Sequence, residues 1–70
     1  MNAEYDIWMA RRRVSTRRAP NAREAAIDYV RSLGCPASEV TYLAHDAVAW
    51  RGAVYRAAPA PVEPRPAEAA

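Results

Sequence analysis

The chain has a single cysteine, two glycines, one histidine and neither lysine nor phenylalanine among its 70 residues. One cysteine excludes an internal disulfide, so nothing here suggests a secreted, disulfide-stapled scaffold. Two glycines leave no room for a glycine-rich phosphate loop. One cysteine and one histidine cannot supply the roughly four ligands of a structural zinc site. No apolar run is long enough for a signal peptide or a membrane span, and acids appear early in MNAEYDIWMARRR. The address expected by default is cytoplasmic, with no membrane partner. All ten basic residues are arginine and alanine is abundant. This composition reads as the GC-rich coding bias common in bacteria and their phages, so the choice of Arg over Lys carries little functional weight.

What is present is one small domain's worth of chain. Such chains bury a limited share of their surface, which leaves little space for a core plus a deep catalytic cleft. The segment that commits to a structure at both ends is NAREAAIDYVRSLG, residues 21–34. Asn21 is a good N-cap, and Glu24 stands where a capping-box acid belongs and faces the positive end of the dipole. Pro20 precedes the cap without removing a helical hydrogen bond. Gly34 suits a left-handed C′ position and Pro36 forbids continuation. Ala22, Ala25, Ala26, Tyr29, Val30 and Leu33 fall on one helix face, with Ile27 at its flank. The stripe is half alanine, so the helix can approach a flat apolar surface closely. A sheet is the expected partner.

Residues 4–10, EYDIWMA, alternate as a strand: Tyr5, Ile7 and Met9 on one face, Asp6, Trp8 and Ala10 on the other. The apolar parity then changes across the arginines. A hairpin with Arg11–Arg12 at the turn is favoured, and a bulge in one long strand would change parity in the same way. In the second strand Val14 and Thr16 would share a face, opposite Arg13, Ser15 and Arg17. After the helix, Cys35 is expected to pack back near Val30. Residues 39–44 read as a strand with Val40, Tyr42 and Ala44 on one face. Residues 47–57 read as a hairpin bent at Arg51–Gly52, where Gly supplies positive φ. From Ala58 onward four prolines occur in thirteen residues. A domain over 1–57 and a disordered, polyproline-like Pro/Ala-rich tail over 58–70 are expected.

The expected class is α+β: one helix on a 3–5-stranded antiparallel sheet in the order β(β)αββ(β). A sheet with one helix has an uncovered face, which needs polar residues or a partner.

Enzyme chemistry is not expected, nor any catalytic residue, cofactor or metal. Cys35 beside His45 and Asp46 invites a nucleophile–base reading. A helix C-terminus, however, raises a thiol pKa, and His45-Asp46 reads as a solvated turn. The acids are scattered and none pairs in a pocket. Trp50, Tyr29 and Tyr42 are expected in the core. Pro61-x-x-Pro64 before Arg65 formally fits a proline-rich ligand but arises easily by chance in such tails.

The arginine run carries the functional expectation. Arg11, Arg12, Arg13, Arg17 and Arg18 lie within eight residues without an acid. On a strand, Arg11, Arg13 and Arg17 would form a cationic strip, with Trp8 nearby and with Tyr55 and Arg56 extending it. Guanidinium forks match carboxylates and phosphates and stack on rings. Arginine beside an exposed aromatic suits a protein interface or single-stranded DNA or RNA. The same residues could equally be a solvated edge strand whose charges block aggregation. The leading expectation is a small interaction protein, monomer or homodimer, docking on a larger protein or ribonucleoprotein complex. One concrete version is an inhibitor of a host defence complex, of the anti-CRISPR kind, inferred from size and lack of chemistry. The alternative is direct nucleic-acid binding.

Overall fold

The computed structural model describes residues 2–61. Five strands form one antiparallel sheet: β1 (Ala3–Met9), β2 (Arg12–Ala19), β3 (Thr41–Ala44), β4 (Ala47–Trp50) and β5 (Ala53–Pro59). A single helix, α1 (Ala22–Ser32), lies on one side of it. The sheet order is β2-β1-β5-β4-β3, so β1 sits between β2 and β5. This is the expected two-layer α+β domain. The expectation of a disordered tail falls on residues outside those described, save that β5 runs to Pro59. There Ala60 N–H still donates to the Glu4 carbonyl.

The helix ends follow from local chemistry. Asn21 Oδ1 accepts from the Glu24 N–H at 2.9 Å, which satisfies one orphan donor of the first turn. At the other end Gly34 takes φ +104°, and the Cys35 N–H donates to the Val30 carbonyl as in a Schellman cap. A Cβ at Gly34 would meet nothing within 4 Å, so only the backbone conformation resists a side chain there. Gly34→Ala is therefore expected to lower stability by about 1 kcal/mol without altering the fold. Thermal melts checked against the wild type read this directly. A loss above about 3 kcal/mol would mean that the cap is not its only role.

Helix and sheet meet through small side chains. Ala25, Ala26 and Val30 of α1 are buried with Ile7, Ala19, Val48, Tyr55, Ala57 and Cys35. The alternation of β1 holds: Ile7 is fully buried under the helix, and Tyr5 and Met9 pack beside the same core. Leu33, expected in the stripe, is the C-cap residue and stays exposed, because the helix ends before it can turn toward the sheet. Tyr42, expected in the core, is also exposed on the outer strand β3, where the Arg23 guanidinium lies 5.2 Å from its ring centroid.

Three details of the strands differ from expectation. The first turn is Ala10–Arg11, one residue earlier than expected, with Ala10 at φ +56°. Residues 37–39 form a 3-10 turn, so β3 begins only at Thr41. In β2 the ladder shifts between Ile7↔Ser15 and Trp8↔Arg13, leaving Val14 as a bulge that packs against the core. The favoured hairpin is thus present, with a bulge inside its second strand, and the alternative of one long strand is not formed. The Arg51–Gly52 bend is as expected, with φ +52° and +80°, the signs of a type I′ turn.

Candidate functional site

The bulge decides which way each arginine points. With Val14 outside the ladder, Arg13 pairs with Trp8 and Thr16 with Asp6, on the side away from the helix. Ser15 and Arg17 fall on the helix side, opposite Ile7 and Tyr5. The expected strip of Arg11, Arg13 and Arg17 therefore does not form. Arg17 is bound on the helix side instead. It pairs with Asp28 at 2.9 Å, donates to Ser32 Oγ and lies 5.4 Å from the Tyr29 ring centroid. Tyr55 also leaves the candidate surface, being buried under the helix with its ring 5.6 Å from that of Tyr29.

What does come together is a row across three strands on the uncovered face. Trp8 on β1 stands directly opposite Arg13 of β2 and Arg56 of β5. Directly opposed side chains on neighbouring strands have Cβ atoms about 5 Å apart. Arg18 lies further along the same face, opposite Glu4. Arg11 and Arg12 sit at the β1–β2 end and enter no ion pair among the described residues.

The acids of this face were missed as site residues. Arg13 approaches Asp6 at 3.7 Å, Arg18 approaches Glu4 at 3.4 Å, and Arg56 meets Asp46 at 3.0 Å. Asp6 is buried although it lies on the open face, and its Oδ1 accepts from the Thr16 hydroxyl at 3.0 Å. Ala47, opposite Arg56, is buried too. The long Trp and Arg side chains of the face thus cover small neighbours with their stems. The three arginines and three acids of these pairs balance in charge. Glu4, Asp6 and Trp8 occupy alternate positions of one strand, and that spacing is the signal that would have found the acids.

Cys35 is buried, and its Sγ donates to the Pro36 carbonyl at 3.2 Å. Burial pushes the thiol above its ordinary value of 9.0, and the charge of Glu39 adds to this; the nearby Arg51 and Arg31 oppose it. The direction is the expected one, with burial as the main cause. A thiol held neutral in the folded state favours folding at pH below its unfolded value. That contribution is lost as pH rises through the higher folded value. Relative to Cys35→Ser, the wild-type chain is therefore expected to lose stability more steeply above about pH 9. Parallel denaturation curves at neutral and alkaline pH give the comparison, and identical slopes would contradict it.

Among the described residues no three His, Cys, Asp or Glu side chains gather as a metal site. No helix of those residues is long and apolar enough to cross a membrane. Compared with protein-family models, curated proteins and solved structures, the chain matches none. Its class is therefore given by its own geometry, a small α+β domain with one face of its sheet uncovered by any described element.

Proposed function

We propose that this chain is a small, non-enzymatic interaction protein that docks on a larger protein or ribonucleoprotein through the uncovered sheet face. The observation that carries the reading is the Arg13–Trp8–Arg56 row. Trp and Arg dominate the energetics of protein interfaces, most strongly near the centre of a patch. Here they run from the edge strand β2 across β1 to β5, on a face that no described element covers. A domain of this size seated on a working surface of its partner would act as an inhibitor or an adaptor. A host defence complex of the kind that anti-CRISPR proteins block is one such target.

Direct nucleic-acid binding is the second reading, favoured by Arg11 and Arg12 at the β1–β2 end near Trp8. Two features weigh against it. Binding to a phosphate backbone gains from net positive charge through counterion release, and the face's ion pairs balance. Sheets that bind single strands stack several bases on several aromatics; here Tyr5 and Tyr55 turn toward the helix and leave Trp8 alone.

The deciding experiment is capture of a partner from a host extract by the wild-type chain and by Trp8→Ala, alongside titration with single-stranded DNA and RNA at low salt. The proposal expects a protein retained only by the wild-type chain and at most weak oligonucleotide binding. Tight, steeply salt-dependent oligonucleotide binding, or capture that ignores Trp8, would reject it.

A further inference from the structure

We infer that the partner offers acidic side chains to the Arg13–Trp8–Arg56 row; this rests on the docking surface proposed above and adds the chemistry of its occupant. The argument starts from the depth of the charges. The Asp6 side chain is 7% exposed, whereas that of Arg13 is 59% exposed. Asp46 is 25% exposed against 56% for Arg56. At this row the carboxylates are recessed and the guanidiniums stand outermost, whereas further along the face Glu4 is nearly as open as its partner Arg18. The face is balanced in charge when counted whole, yet a surface approaching the Arg13–Trp8–Arg56 row meets cations first.

These cations have donors to spare. A guanidinium carries five N–H groups. Arg13 lies 3.7 Å from Asp6, beyond hydrogen-bonding range, and a single hydrogen bond joins Arg56 to Asp46. The acids beneath therefore restrain the two heads without saturating them. Such restraint lowers the ordering cost of binding. A basic partner seated on this row would meet the raised guanidiniums before reaching Asp6 or Asp46.

Geometry narrows the occupant further. Arg13 and Arg56 stand on strands either side of β1, so their backbones are about 10 Å apart with the Trp8 indole between them. In an extended segment, residues i, i+2 and i+4 share a face and span about 13 Å. An acid, an apolar residue and an acid at those positions match the cation–indole–cation row within the reach of two arginine side chains. Carboxylates can take bidentate contacts from each fork locally. A phosphate chain relies more on net positive charge, which the recessed acids cancel.

The probe is a synthetic peptide repeating Glu-Ser-Leu-Ser, titrated into the full ¹⁵N-labelled chain and followed by its amide and indole signals. The Trp8 indole and the amides of Arg13, Val54 and Arg56 are expected to shift, while Arg23 and Tyr42 stay in place. In the Arg13→Ala/Arg56→Ala chain the affinity is expected to fall tenfold or more, and a Lys-Ser-Leu-Ser peptide is expected to leave the signals unmoved. The inference is overturned if nothing shifts, if the shifts lie on the helix side, or if the double variant binds equally well. An oligothymidylate that moves the same signals at lower concentration also overturns it and returns the face to nucleic acid. If the acidic peptide fails while partner capture still depends on Trp8, the acidic chemistry falls and the docking surface stands.

Discussion

Ile7→Ala is expected to remove about 2–5 kcal/mol of folding stability, toward the upper end of that range. Ile7 is fully buried on β1, an interior strand of the sheet, flanked across the ladder by Ser15 and Ala57 and covered by α1. Its core neighbours include Ala19, Ala25, Ala26 and Ala57. Alanine has no rotamer with which to fill a cavity, so the space left by the removed methyl groups stays open. That is the situation in which truncation costs most, because the lost contacts are not replaced. A domain of about 60 residues has a total stability of about 3–9 kcal/mol, so this one change removes a large part of it. With a urea slope of about 1 kcal/mol/M, the midpoint followed by far-ultraviolet circular dichroism is expected to fall by about 2 M or more. Val54→Ala, at a 43% exposed position on the uncovered face, is the control and is expected to change stability by no more than about 0.5 kcal/mol. Equal losses for the two variants would mean that the apolar core does not lie between helix and sheet.

The parts of this fold that were legible in the sequence are those decided by neighbours in the chain. Asn21 and Gly34 bracket the helix through hydrogen bonds spanning a few residues. Gly52 sets its hairpin by its own φ. The alternation of Tyr5, Ile7 and Met9 needs only an extended strand with one buried side. The arginine run is different. Nothing in RRRVSTRR says which residue drops out of the ladder. That depends on how β2 meets Ile7 and Trp8 across the hairpin. One unpaired residue, Val14, sends Arg13 to one face and Arg17 to the other, and so dissolves the strip that a regular strand would present. The placement of Arg56 beside Trp8 was equally hidden, because it comes from pairing between β1 and β5, the strands farthest apart along the described chain. Asp6 was within reach, two residues before Trp8 on the same face. Its partner was not, because the arginine above it comes from the neighbouring strand through the shifted ladder.

Trp8→Ala is expected to weaken partner binding by about 2–4 kcal/mol, a loss of roughly 30- to 1,000-fold in affinity. The size follows from position. Trp8 lies in the middle of the row, so docking would strip water from the indole on its exposed side while Arg13 and Arg56 shield its flanks. Arg56→Ala is expected to lose about 1–2 kcal/mol, because truncation also leaves Asp46 without its guanidinium beneath the contact. Trp8 and Arg56 face each other across β1 and β5, so their double variant is expected to depart from additivity by about 0.5 kcal/mol or more. Arg17→Ala tests the other side of the sheet. Its guanidinium is occupied by Asp28, Ser32 and Tyr29, so its removal should move the melting temperature and leave affinity nearly unchanged. Trp8 is itself half-buried, so melts of each unbound variant are needed to separate lost folding from lost docking. Isothermal titration against the purified partner then ranks the positions. If Arg17 outranked Trp8, the docking face would have to be the helix side. The bulge at Val14 would then serve to keep charge away from the interface, not to bring Arg13 onto it.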